Sequence, residues 1–209
     1  MIVGLSGLAG AGKSTVARIL ASRHRFVEIA LADRIKRMCR EAFAFTDAQL
    51  WGASELRNEV DKRYNGLTPR RALQELGTAY GRSLWPDIWI ERALKDACEA
   101  LFVDGATYRM DVGIQYGPSV GGKPAGVVLS DIRFANECSL VRSAGGVVWR
   151  IIRAGAGLVG DGAGHPSETS LTDEMFSRSE QVVNDGTVTQ LSERVAIRLS
   201  ELSIPDEVA

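Results

Sequence analysis

Eight residues, Gly7-Leu8-Ala9-Gly10-Ala11-Gly12-Lys13-Ser14, constrain this chain more than any other stretch. They fit the spacing Gly-x4-Gly-Lys-Ser/Thr at every fixed position. They follow the apolar run Ile2-Val3-Gly4-Leu5-Ser6 and precede Ser14 to Arg25, where Val16, Ile19 and Leu20 share one helical face. The local reading is strand, glycine-rich turn, helix. Glycines let successive backbone N–H groups wrap a polyphosphate, the helix start adds partial positive charge and Lys13 adds a full one. Gly10, Ala11, Gly12, Lys13, Ser14 and Thr15 are therefore candidate nucleotide contacts, and the Ser14 hydroxyl is placed for Mg²⁺.

The rest of the chain alternates strand-like and helix-like segments. Phe26 to Ala30 reads as a strand, and Leu31 to Phe45 as a helix with Ile35, Met38, Cys39 and Ala42 inward. Residues 46–68 are irregular apart from one short helix. Thr68-Pro69 opens a helix to about Arg82, and a further helix runs from Pro86 or Asp87 to about Phe102. Asp104 to Pro124 reads as a long loop or weak hairpin. Then come a strand at Gly126 to Ser130, a helix at Asn136 to Ala144, a strand at Gly146 to Ile152, a short strand at Gln181-Val-Val183 and a closing helix to about Leu202. This alternation implies an α/β fold, a parallel sheet with helices on both faces.

Composition narrows the partners. Lys plus Arg total 25 against 26 for Asp plus Glu, so the overall balance argues against a sequence-independent nucleic-acid surface. Cys39, Cys98 and Cys138 form no CxxC pair, which fits a reducing cytoplasm better than a disulfide framework. No apolar run reaches the roughly 18 to 20 residues needed to cross a bilayer, and the start lacks the basic segment of a signal peptide, so no membrane partner is expected.

Other residues gather around the same chemistry. Val127-Val-Leu-Ser-Asp131 is an apolar strand ending in a carboxylate that could serve Mg²⁺, although many strands end in Asp for turn reasons. Arg133 could reach a phosphate oxygen or sit by the next helix. On a wheel at 100° per residue, Ala72, Leu73, Leu76, Ala79 and Tyr80 fall on one arc of the 69–82 helix, and Arg70, Gln74, Thr78 and Arg82 form a polar stripe. Such a stripe is either a solvated face or a set of forked cations for a phosphate with an amide for a base edge. Asp33 and Lys36 offer an acid and a cation near the end of the second strand. Ala154 to Ser167 holds five glycines and only Leu158 and Val159 to pack, so it is expected to be a lid. Arg150 and Arg153, leading into it, would meet the adenine or phosphates of ATP, or are merely surface arginines on a strand end.

The chain resembles the bacteriophage-type deoxynucleoside monophosphate kinases, within the P-loop nucleoside monophosphate kinases. The resemblance rests on the glycine loop, Leu31-Ala-Asp33-Arg-Ile-Lys36, Thr68-Pro69-Arg70, Leu73-Gln-Glu-Leu-Gly77-Thr-Ala-Tyr-Gly81-Arg82, Asp87-Ile-Trp89, Asp131-Ile-Arg133-Phe-Ala-Asn136-Glu137, His165-Pro-Ser167-Glu168 and Val183-Asn184-Asp185-Gly186. It implies one P-loop kinase domain with its core at about 1–45 and 126–209, a helical monophosphate-binding region at about 46–103 and a lid at about 154–168. It implies transfer of the ATP γ-phosphoryl to a deoxynucleoside 5′-monophosphate, with Mg²⁺ on Ser14 and Asp131. Lys13, Arg133 and Asp33 would be catalytic, and Arg150, Arg153 and Asn184 would join the loop around ATP. Asp33, Lys36, Arg70, Gln74, Arg82, Asp87 and Trp89 would meet the monophosphate. A homodimer is admitted, and the cytoplasm would be that of a host cell if the chain is phage-encoded.

Two other readings stay open. A P-loop kinase with a hydroxyl acceptor, a nucleoside or a dephospho-coenzyme, would need Asp33 to take a proton. A nucleotide-dependent switch should carry Asn-Lys-x-Asp or a water-positioning Gln after Asp131, and neither is present.

Overall fold

The computed structural model describes residues 1–117, 122–157 and 164–202. Five parallel strands form the main sheet: β1 (Ile2–Ser6), β2 (Phe26–Ala30), β5 (Gly126–Ile132), β6 (Val147–Ile152) and β7 (Gln181–Val183), ordered β2-β5-β1-β6-β7. The intervening β3 (Ala106–Arg109) and β4 (Gly113–Tyr116) make a separate antiparallel hairpin.

Alternation along the strands sends side chains into two cores. Val3 and Leu5 of β1, with Val128 of β5 and Ile151 of β6, pack under α1 (Lys13–His24) and α9 (Val188–Leu202), through Val16, Leu20, Leu191 and Val195. Ile2, Val127, Leu129 and Val148 face the other way, toward α2 (Ala32–Phe43), α6 (Ile88–Phe102) and α7 (Ala135–Ser143), meeting Ile35, Ile90, Ala97 and Val141. Both faces of the sheet are thus covered, which is why its strands read as continuous apolar runs. This is the α/β parallel sheet with helices on both faces that the alternating pattern predicts, and the P-loop kinase-type fold that the resemblance implies.

Two local expectations change, and a third, open between two readings, is decided. Met38 and Ala42 of α2 are exposed rather than inward; Ile35 and Cys39 carry that helix's contact with the core. Of the two readings left open for Asp104 to Pro124, the hairpin is the one present, as β3–β4. The 69–82 segment is not one uniform helix. Thr68 caps α4 (Pro69–Gln74) by accepting from the Arg71 N–H; Glu75–Tyr80 then widens into a π-helix, followed by α5 (Gly81–Leu84), with α3 (Asp47–Trp51) lying upstream. The Gly81 N–H donates to Leu76 O, five residues back. The wide turn inserts a residue into the helical repeat and resets its phase. Ala79 and Tyr80, inward on an ideal wheel, are consequently exposed, and Gly77 and Gly81 face inward in their place. A Cβ on Gly81 would collide with the Trp89 ring, so only glycine lets the two helices approach this closely.

Candidate active site

Where β1 ends, Gly10 and Gly12 adopt φ of 78° and 105°, which turns the chain sharply into α1. A Cβ at Gly12 would collide with the Asn184 amide, whose Nδ2 donates to Ala11 O at 2.8 Å. Asn184, at the end of β7, therefore braces the glycine loop from behind and lies outside the cavity wall. Lys13 folds back over the loop, its Nζ donating to Gly7 O at 2.7 Å and Leu8 O at 3.0 Å. Burial, reinforced by the nearby Arg133 charge, pulls the Lys13 ammonium down to about 8.

This loop forms one wall of a cavity of about 540 Å³. Gly10, Gly12, Lys13, Ser14 and Thr15 line it from the loop side; Ala11 is buried beneath. Arg70, Gln74, Thr78 and Arg82 line it from the helical side. An ideal α-helix would let an i,i+4 stripe drift around its axis, and the π turn corrects that drift, so all four polar side chains reach the same cleft. Trp89 lines the wall beneath them, its indole N–H donating to Gly77 O at 2.7 Å.

Arg82 is held on three sides. It donates to Asn136 Oδ1 at 3.0 Å and to Glu137 Oε1 at 3.2 Å, and its guanidinium lies 3.7 Å from the Phe134 ring centroid. Glu137 also accepts from the backbone N–H groups of Arg133 and Phe134, at 2.7 and 3.1 Å, so one buried carboxylate ties the start of α7 to the substrate-side helix. Burial pushes its carboxyl up, against the pull of those donors.

Asp131 lines the cavity in a left-handed conformation, φ 76°, where β5 and β1 slip register between Gly4 and Ser6. A non-glycine residue held there is uncommon and marks a position the surrounding structure over-determines. Burial works to raise the Asp131 carboxyl, but Arg133, Lys13, Lys36 and Arg57 outweigh it and hold the group below the usual range, ionised at neutral pH. Arg133 sits 3.7 Å from Asp131 Oδ1, donates to Ser167 O at 3.1 Å and forms an ion pair with Glu168 of α8 (Pro166–Thr169). The second Glu168 oxygen, Oε2, is buried with no hydrogen-bond partner.

Lys36 and Arg153 also line the cavity. Three other expected contacts are corrected. Arg150 is 4% exposed and spent on structure: it donates to Asp173 Oδ1, Ser6 Oγ and Leu171 O, away from the cavity. Asp87 is outside the wall, its carboxylate accepting from Asn136 Nδ2. Asp33, expected to touch substrate, is 3% exposed and accepts from Trp51 Nε1 at 3.0 Å, Tyr108 Oη at 3.1 Å, Lys36 Nζ at 3.5 Å and Ala30 N at 3.4 Å. Asp33 is absent from the cavity wall, which counts against its reaching the hydroxyl acceptor of that reading. The expected lid has its centre at residues 158–163, outside the described residues.

Ser54, Arg57, Phe134 and Glu168 line the cavity without having been singled out in the sequence. Arg57 donates to Leu50 O and Gly52 O. It lies in the irregular 46–68 stretch, where no period marks a face. Glu168 had one signal, the His165-Pro-Ser167-Glu168 motif.

A glycine loop at the carboxyl edge of a parallel β2-β5-β1-β6-β7 sheet, facing a helical wall of guanidinium groups, defines an α/β protein of the P-loop kinase type. No family model matches the chain. Over 196 residues it is 30% identical to a protein of Acanthamoeba polyphaga mimivirus named "Putative deoxynucleotide monophosphate kinase", covering 93% of this chain and 94% of that one. The chain belongs to the deoxynucleotide monophosphate kinase family, in agreement with the resemblance its motifs carry. Among the described residues, no helix is long and apolar enough to cross a membrane.

Proposed function

We propose that the protein is a kinase that moves the γ-phosphoryl of ATP onto a deoxynucleoside 5′-monophosphate, giving ADP and the diphosphate. The observation that carries this is a single cavity with the glycine loop on one wall and Arg70, Gln74, Thr78 and Arg82 on the other. The loop N–H groups, Lys13 and Thr15 hold the donor phosphates, with Arg153 on the same side. Arg70, Arg82 and Lys36 hold the acceptor phosphate, and Gln74 offers a donor and an acceptor to the base. The acceptor is ionised at neutral pH, so catalysis reduces to alignment and charge neutralisation, with Arg133 beside Lys13 at the point of transfer. Hard oxygen donors suit Mg²⁺, and the Ser14 hydroxyl and the ionised Asp131 carboxylate fit that choice. Bound there with the phosphates, Mg²⁺ would neutralise charge on the donor.

The test is a panel of the four deoxynucleoside monophosphates, their ribonucleotide counterparts and the free nucleosides, each with Mg-ATP, products separated by chromatography. At least one deoxynucleoside monophosphate should yield its diphosphate with one ADP per turnover. Phosphorylation of a nucleoside, and of no monophosphate, would reverse the reading.

Two further outcomes follow from the two walls. Arg70→Ala or Arg82→Ala should raise KM for the monophosphate by about 10- to 100-fold, the worth of one charge-assisted contact, while KM for ATP changes little. Equal damage to both constants would assign the stripe to the donor or to folding. The second concerns Lys13, whose ammonium burial pulls down to about 8. An arriving diphosphate favours its charged form, so ADP binding should weaken as pH rises through about 8 and should take up a proton near that pH. Calorimetry in buffers of different ionisation heat reads the uptake, and Lys13→Arg should abolish it. Uptake that persists in that variant would belong to another group.

A further inference from the structure

The β3–β4 hairpin lies outside the expected substrate-binding region, yet it bonds to one face of α2 at three points. Tyr108 Oη donates to Asp33 Oδ2 at 3.1 Å; Arg37 donates to Met110 O at 2.7 Å and Arg40 to Asp111 O at 2.9 Å. Asp33 is 3% exposed and touches the cavity only through a neighbour. That neighbour is Lys36, which lines the cavity with its Nζ 3.5 Å from Asp33 Oδ1 and 5.7 Å from the Trp51 ring centroid.

Lys36 shares the cavity with six other cationic side chains, Lys13, Arg57, Arg70, Arg82, Arg133 and Arg153. A flexible ammonium in such company is pushed toward open solvent unless an anion holds it. Asp33 is the anion Lys36 pairs with directly, Asp131 and Glu28 adding a longer-range pull, and the hairpin fixes Asp33: burial and the adjacent carboxylate push the Tyr108 phenol up, so it remains a donor throughout the working pH range. From this chain of contacts we infer that Tyr108 is a positioning residue, acting through Asp33 to aim Lys36 at the acceptor phosphate. The inference rests on the kinase reading only in taking the anion that Lys36 meets to be the monophosphate.

A double-mutant cycle separates aiming from general support of the fold. Binding of the deoxynucleoside monophosphate is measured by calorimetry for the whole protein, Lys36→Ala, Tyr108→Phe, the double variant and Tyr116→Phe. Tyr116 sits on the same hairpin but bonds to Glu99, away from Asp33. Lys36→Ala should weaken binding about tenfold, and Tyr108→Phe about threefold, with ADP affinity unchanged in both. The double variant should bind no more weakly than Lys36→Ala alone, because Tyr108 has nothing left to aim. Tyr116→Phe should match the wild type. Multiplying losses in the double variant, or equal losses from Tyr108→Phe and Tyr116→Phe, would overturn the positioning role. A wild-type protein that bound ADP but none of the four monophosphates would instead take away the kinase reading, and this inference with it.

Discussion

Replacing Lys13 by alanine is expected to lower kcat by about 10² to 10³, the cost of deleting one preorganised donor from a water-poor transfer site. Its ammonium is the only full charge carried by the glycine motif itself, and burial has already stripped much of its hydration. A bound phosphate therefore gains more from it than from a solvated lysine. Stability should hardly change, because among the described residues the hydrogen bonds of the side chain go only to Gly7 O and Leu8 O at the lip of the loop. Steady-state kinetics and a thermal melt on the same preparation check both statements. A rate loss under about tenfold, equivalent to some 1.4 kcal/mol of barrier, would mean the loop is not the catalytic cradle.

Arg133→Ala should damage both stability and activity. Its partner Glu168 is 8% exposed in its side chain and already carries one oxygen without a hydrogen bond. Removing the guanidinium leaves a buried carboxylate without its direct cationic partner, a change that costs about 3 kcal/mol or more when one member of such a pair is deleted. For a chain of this size that corresponds to a fall in Tm of roughly 6 to 12 °C. Turnover should fall by about 10² or more if, as proposed, the same guanidinium lies at the point of transfer. Adding Glu168→Gln to the variant removes the stranded charge and should restore most of the Tm while leaving turnover low. If the double variant melted as low as Arg133→Ala, the loss would come from packing around Arg133.

How much of this was readable from the chain follows from the range of the interactions involved. The glycine motif and its flanks are local: eight residues and two short apolar patterns determine a strand, a turn and a helix start. The polar stripe was readable from Arg70 to Arg82, all four members of which line the cavity; the apolar arc was readable only as far as Leu76. Beyond it, a wheel at constant angle misplaced Ala79 and Tyr80, because the π turn depends on Gly77 and Gly81 fitting against Ile35 and Trp89. Those contacts are tertiary and leave no period in the sequence. Arg150 and Arg153 show a similar limit. Three residues apart, they look equivalent in sequence, yet strand alternation turns Arg150 inward to Ser6 and Asp173, while Arg153 lies past the end of β6 and reaches the cavity. Asp33 was recognisable as an important acid; only the fold shows that two of its partners, Trp51 and Tyr108, come from α3 and the hairpin.

The strands β2 and β5 are hydrogen-bonded neighbours, and everything from residue 31 to residue 125 is one crossover between them. That crossover carries Lys36, Arg57, the Arg70 to Arg82 stripe, Trp89 and the hairpin, whereas the glycine loop, Asp131 and Asn184 stay on the sheet. The entropy of closing a loop grows only with the logarithm of its length, each doubling costing about 0.6 kcal/mol. Loops inside the crossover can therefore be lengthened at small entropic cost without moving the glycine loop opposite, whereas α2 and α6 are held by the core they share with the sheet. A lineage of such proteins can explore new shapes for one half of the cavity while inheriting the other half unchanged.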